Sequence, residues 1–134
     1  SSAPAVFRAL IEATCFGSKM IADRFVEEGV QINQVVALGG VAKKSKLVMQ
    51  IMADVLNMPI KVAASEQTPA LGAAMYAAVA AGIYSDIPQA QSAMGSGFDA
   101  EYYPDTKNAK LYEEVYRDYK RLGHHIEQFC HKKP

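Results

Sequence analysis

A short apolar, β-branched run that ends in two glycines and opens into a helix constrains this chain more than any other feature. Residues 34 to 82 read as a strand (Gln34-Val35-Val36-Ala37-Leu38), a turn (Gly39-Gly40-Val41-Ala42-Lys43-Lys44-Ser45) and a helix from Lys46 to Leu56. A strand (Ile60-Lys61-Val62-Ala63) and a helix from Thr68 to Ala81 follow. The first strand shows no clean alternation, as expected of a strand covered on both faces. The glycines let a ligand come close to the backbone, and a helix start presents unpaired N–H groups and the positive end of its dipole. The turn is therefore a candidate nucleotide site, and equally a purely structural bend.

Two common phosphate-binding patterns do not fit it. The loop G-x-x-x-x-G-K-[ST], aligned on Lys44-Ser45, needs glycine at positions held by Leu38 and Lys43. The dinucleotide fingerprint G-x-G-x-x-G fails because Val41 and Ala42 follow the paired glycines. Ser45 can cap the following helix, and its hydroxyl or the neighbouring lysine can also reach a base or ribose. Lys43 and Lys44 are either solvated charges or phosphate contacts. Leu47, Val48, Ile51, Met52 and Val55 are expected to face the core from this helix, with Met49 and Gln50 pointing elsewhere.

On the N-terminal side, Pro4 and Gly29 bracket a helix whose stripe of Phe7, Leu10, Ile11, Thr14, Ile21 and Phe25 marks a buried face. Gly17 and Ser18 interrupt it with small residues, and Glu12 lies away from it as a solvated charge. Further along, Thr68-Pro69 supplies a cap and a first helical residue, and Gly82 supplies a stop. So many small residues between them permit close packing on a sheet. Residues 84 to 106 lack periodicity and form a surface excursion, with room for a short helix near Gln89 to Ala93. A last helix over 107–131, capped by Asp105 or Thr106, carries the stripe Tyr112, Val115, Tyr116, Tyr119, Leu122, Ile126 and Phe129. His124, His125, Cys130 and His131 near its end complement the helix dipole and do not form a metal site, since no second ligand group exists to close one.

At 134 residues the chain has room for one domain. Its 14 basic and 14 acidic residues balance, so no net field argues for nucleic acid or an anionic membrane. No apolar run approaches the roughly 18 residues of a membrane span, and Ser1-Ser2-Ala3-Pro4 shows no signal-peptide pattern. Cys15 and Cys130 lack metal-type spacing and read as free thiols of a reducing cytoplasm.

Four segments together resemble the C-terminal domain of FGGY carbohydrate kinases. They are Ala9-Leu10-Ile11-Glu12-Ala13-Thr14-Cys15-Phe16-Gly17, Leu38-Gly39-Gly40-Val41-Ala42-Lys43-Lys44-Ser45, Met49-Gln50-Ile51-Met52-Ala53-Asp54-Val55-Leu56 and Glu66-Gln67-Thr68-Pro69-Ala70-Leu71-Gly72-Ala73-Ala74. Within that family the ribulokinase branch is nearest. Ala93-Met94-Gly95-Ser96-Gly97-Phe98 and Tyr112 to Gly123 extend the likeness toward the end of the chain.

The resemblance implies an α/β fold: the second half of a ribonuclease H-like (actin-like ATPase) domain, helix-strand-helix-strand-helix plus a C-terminal helix. The sheet is expected to be incomplete, because three antiparallel strands normally come before this segment. The resemblance also implies ATP and Mg2+ in a cleft between two domains. Gly39 and Gly40 would lie against the phosphates or ribose, and Lys44 or Ser45 near the adenosine. Many relatives carry asparagine around Lys44-Ser45, so the adenine contact departs from the family pattern. The catalytic base, the sugar ligands and the metal ligands are expected upstream, leaving no catalytic or metal residue in this chain.

For the full-length protein the implied reaction is phosphorylation of L-ribulose to L-ribulose 5-phosphate. The rivals are a xylulokinase-like or glycerol kinase-like specificity, or a non-catalytic interaction domain of the same fold. The 134 residues alone are expected to be a cytoplasmic kinase fragment, inactive and inclined to self-associate through exposed sheet edges and apolar surface.

Overall fold

The computed structural model describes residues 2–130. Six helices and three strands follow in the order α1 (Ala3–Glu27), β1 (Val35–Ala37), α2 (Gly40–Lys44), α3 (Lys46–Leu56), β2 (Ile60–Ala63), α4 (Thr68–Ala80), α5 (Ile87–Met94), β3 (Phe98–Tyr102) and α6 (Thr106–Cys130). The sheet has the order β1-β2-β3. β1 and β2 run parallel with Val35 opposite Ile60 and Ala37 opposite Val62, a pairing that requires the helical crossover supplied by α2 and α3. β3 returns antiparallel, Tyr102 opposite Ile60 and Ala100 opposite Val62, with an irregularity between Val62 and Ala63.

Helix α3 divides the core in two. Toward the sheet, Met49 packs with Ala42 and Val62, and Ala37, Ala100 and Tyr102 close around them. Toward the other helices, Ile51 and Val55 pack with Cys15 and Phe16 of α1 and with Tyr112 and Tyr116 of α6. Met49 is thus inward, contrary to the expectation from its helical stripe, because α3 is covered on two sides. Leu47, expected inside, is half exposed. Burial, with Glu12 nearby, pushes the Cys15 thiol up to about 11.

The α1 stripe also differs from expectation. Phe7, Leu10, Ile21 and Phe25 are each more than half exposed, and Cys15 and Phe16 are the residues buried. Polar anchors explain the rotation. Tyr112 Oη donates to Glu12 Oε1 at 2.8 Å and accepts from Arg8 Nη2 at 2.9 Å. Tyr116 Oη donates to Asp23 Oδ2 at 2.8 Å. Glu12 is therefore a partner of α6 and not a solvated charge. Burial first, and the adjoining carboxylates second, raise both tyrosine pKa values above the ordinary range.

Residues 84 to 106 hold α5, where a short helix had room near Gln89 to Ala93, and also β3, where only an irregular excursion was expected. Asp86 caps α5 by accepting from Gln89 N at 2.8 Å. β3 alternates Phe98, Ala100 and Tyr102 with Asp99 and Glu101, a period-2 pattern that the flanking glycines and prolines obscured. α4 packs against α5 and buries Met75 and Ala78, where packing on a sheet was expected. Gly29 and Gly82, at φ of 85° and 74°, end α1 and α4 as expected.

Asp54 joins the core to α6. It is 2% exposed and accepts from Gln50 Nε2 at 2.9 Å, Asp105 N at 2.7 Å and Asn108 Nδ2 at 3.1 Å. Gln50 also donates to the Tyr103 carbonyl at 2.8 Å, so α3, the β3–α6 connection and the start of α6 share one polar cluster. Replacing Asp54 with alanine removes the acceptor of three part-buried hydrogen bonds and is expected to lower stability by about 2 kcal/mol in urea unfolding, with earlier loss of amide protection in the first turn of α6.

Asp105 caps α6, as expected. Its carboxylate accepts from Lys107 N at 2.8 Å and Asn108 N at 3.1 Å, and the Asn108 and Lys107 amides hold its pKa below the ordinary 3.8. A lowered folded-state pKa contributes stability that is complete above 3.8 and lost as pH falls through the lowered value. The stability difference between the wild type and Asp105→Ala is therefore expected to shrink below pH 3.8 in pH-resolved thermal melts.

Candidate functional site

Because β1 and β2 are parallel, their carboxyl ends leave the sheet at the same edge. Leu38-Gly39-Gly40 follows β1 there, and Ala64-Ser65-Glu66-Gln67 follows β2. β3 starts at that edge, and Ala64 N donates to the Gly97 carbonyl at 3.0 Å. Outside the carboxyl ends of parallel strands, open α/β sheets form their ligand crevices.

The paired glycines have different reasons to be glycine. Gly39 sits at φ 88°, where an L side chain is strained. Gly40 starts α2 without a positive φ, and a β-carbon built on it meets nothing within 4 Å. Backbone geometry does not demand glycine at position 40, so its bare α-carbon leaves an open approach. No side chain caps α2, which leaves its first-turn amides available at the same place.

Of the other turn residues, Ser45 caps α3 by accepting from Val48 N at 3.3 Å, and its own hydroxyl proton stays free for a further partner. Lys44 is exposed in the last turn of α2. Lys43 is occupied: Nζ donates to the Ala64 carbonyl and lies 3.1 Å from Asp99 Oδ2. No sequence signal pointed to Asp99 or Ala64, which lie far from Lys43 along the chain. Thr68 is not the cap of α4. Gln67 holds that position, while Thr68 Oγ1 donates to the Ser65 carbonyl at 3.0 Å and Gln67 N to Ser65 Oγ at 3.2 Å.

Sizeable cavities among the described residues lie elsewhere. One of about 730 Å3 is lined by Met20, Phe25, Val30 and Tyr116, and one of about 630 Å3 by Lys19, Asn57 and Arg117. Among the described residues no three His, Cys, Asp or Glu side chains are grouped to hold a metal ion. His124 shares a 2.8 Å contact with the Gln128 amide, and His131 lies outside the described residues. No helix among the described residues is long and apolar enough to cross a membrane.

Residues 1–81 match the family model described as the FGGY family of carbohydrate kinases, C-terminal domain. The chain belongs to the FGGY carbohydrate kinases. This FGGY domain is 50% identical to a ribulokinase of Geobacillus thermodenitrificans over 121 residues, which cover 87% of the chain. It is 47% identical to a ribulokinase of Vibrio parahaemolyticus over 130 residues, or 97% of the chain. The chain spans 22% and 23% of the length of these two relatives. Among solved structures it is similar to a xylulose kinase from Rhodospirillum rubrum, with a TM-score of 0.81 and 28% identity over 95% of this chain and 25% of that one. The FGGY domain thus has the α/β, actin-like ATPase fold expected for it, with a small, incomplete three-stranded sheet.

The two glycines are expected to respond differently to alanine. Gly39→Ala should cost about 1–2 kcal/mol because of its left-handed backbone, whereas Gly40→Ala should leave thermal stability unchanged or slightly raised. Ser45→Ala should cost about 1 kcal/mol through loss of the α3 cap, measured by denaturant titration.

Proposed function

We propose that this FGGY domain is the C-terminal part of an ATP-dependent ribulokinase that converts L-ribulose to L-ribulose 5-phosphate in the bacterial cytoplasm. The observation that carries the proposal is the 47% identity to a ribulokinase along 97% of the chain. That likeness continues beyond residue 81 through α5, β3 and α6, where the family model stops. The two free cysteines suit the cytoplasm.

The carboxyl edge fits a nucleotide. Gly40 offers an approach that a side chain would fill, beside the uncapped amides of α2. Gly39 and Gly40 admit the phosphates or ribose, and Lys44 and Ser45 lie toward the adenosine. When bound, Mg2+-ATP supplies the phosphoryl group and neutralises the charge developing on it. The residues of this chain bind and orient. The base that takes the proton from the sugar hydroxyl, the sugar ligands and the metal ligands belong to the rest of the protein. Positioning and charge stabilisation together make the reaction, so one wall of the cleft does not catalyse by itself.

Sugar-dependent ADP release by the full-length protein tests the reaction, and absence of turnover with L-ribulose or any other ketopentose would overturn it. Gly40→Leu in that protein is expected to raise KM for ATP about tenfold or more without lowering the melting temperature. The 134-residue chain alone is expected to turn over nothing and to self-associate through the exposed α1 stripe. Sedimentation should show association that rises with concentration and weakens in Ile21→Glu, and a strict monomer with a high melting temperature would contradict it.

A further inference from the structure

We infer that Lys43 is a positioning residue for the nucleotide edge, an inference that rests on the ribulokinase proposal. Its ammonium fastens the glycine turn to the β2–α4 connection and to β3, and so fixes the opening beside Gly40. Helix α2 is only five residues long and cannot hold its own place. Ala42 anchors it in the sheet core at 4% exposure, whereas Val41 is 62% exposed and Lys44 faces solvent. The remaining anchor is Lys43, whose side chain is 22% exposed and reaches the Ala64 carbonyl and Asp99 Oδ2. Ala64 is in turn held by its N–H on the Gly97 carbonyl. A single cation therefore joins three segments of the carboxyl edge: the glycine turn, the residue leading into α4, and β3.

The same contact has an electrostatic consequence. Asp99 is 51% exposed at an edge proposed to receive a triphosphate, and Lys43 compensates its charge. With two of its three donors engaged, Lys43 acts on the nucleotide through the placement of Gly40 and not by touching phosphate.

Steady-state kinetics of the full-length kinase test this. Lys43→Met is expected to raise KM for ATP about tenfold, with kcat and KM for L-ribulose within about threefold of wild type. Lys43→Arg, which keeps the charge and reaches both acceptors, is expected to restore KM for ATP to within about threefold. Asp99→Asn is expected to raise KM for ATP about threefold and to add nothing further when combined with Lys43→Met, since both report one clamp. An unchanged KM for ATP in Lys43→Met would overturn the inference. So would a fall in kcat of about a hundredfold at constant KM, which is the mark of direct contact with the transferred group. Should Lys43→Met not fold, Asp99→Asn decides, and an unchanged KM for ATP there overturns the inference. If the unmodified protein binds no ATP, the nucleotide proposal falls and takes this one with it. If it binds ATP and Lys43→Met binds it equally well, only the role of Lys43 falls.

Discussion

Helix α3 is the member on which α1, α2, α6 and β3 pack, and it is buried from two sides. Met49 faces the sheet while Ile51 and Val55 face α1 and α6, and the short helix holds two separate apolar clusters together. An eleven-residue helix is marginal by itself, so its stability comes from these contacts and from its Ser45 cap. The consequence for the carboxyl edge is direct. The Gly39–Gly40 turn joins β1 to the short α2, which leads through Ser45 into α3, so the geometry of the turn is inherited from the packing of α3. Asp54, on the same helix, carries that order to the start of α6 through two hydrogen bonds, from Asp105 N and Asn108 Nδ2.

What the sequence reveals and what it hides follow a physical division. Strand β1, the turn, α3, β2 and α4 are legible because β-branched residues, glycines and a capping serine are local signals whose effects are local. Residues whose partners lie far along the chain are not. Apolar content alone marks one face of α1, yet the helix is turned by Glu12 and Asp23 binding two tyrosines about a hundred residues away. β3 carried its alternation openly, and the dense glycines and prolines around it outweighed five residues of period 2. Asp54 shows nothing special in sequence, and its importance exists only once Asn108 and the Asp105 amide meet it.

The candidate site divides in the same way. That a glycine pair marks a place for backbone approach is readable from composition. Which glycine serves the backbone and which serves the space above it requires dihedral angles: Gly39 is demanded by its φ of 88°, and Gly40 by no feature of the chain itself. Lys43 and Lys44 are indistinguishable as letters. Their neighbours separate them, since one is drawn down to Ala64 and Asp99 while the other stays exposed.

Helix α4 is apolar around its whole circumference, the composition of a helix enclosed on all sides, yet it packs here against α5 and leaves Ala73, Ala77 and Tyr76 exposed. α1 presents Phe7 and Leu10 at one end and Ile21 and Phe25 at the other outward, with Thr14, Gly17 and Ser18 between them. Exposed apolar groups of this kind mark surface that a neighbouring element packs against. The ribulokinase relatives are more than four times as long as the matched segment, which is length enough to supply that cover. The carboxyl edge is organised differently: Lys43 is paired with Asp99, Lys44 stays exposed, and the bare Gly40 lies between the exposed side chains of Leu38 and Val41. Apolar side chains are thus offered for packing on either side of a bare α-carbon at the uncapped start of α2, so a neighbouring element can cover the flanks and leave the backbone of Gly40 approachable.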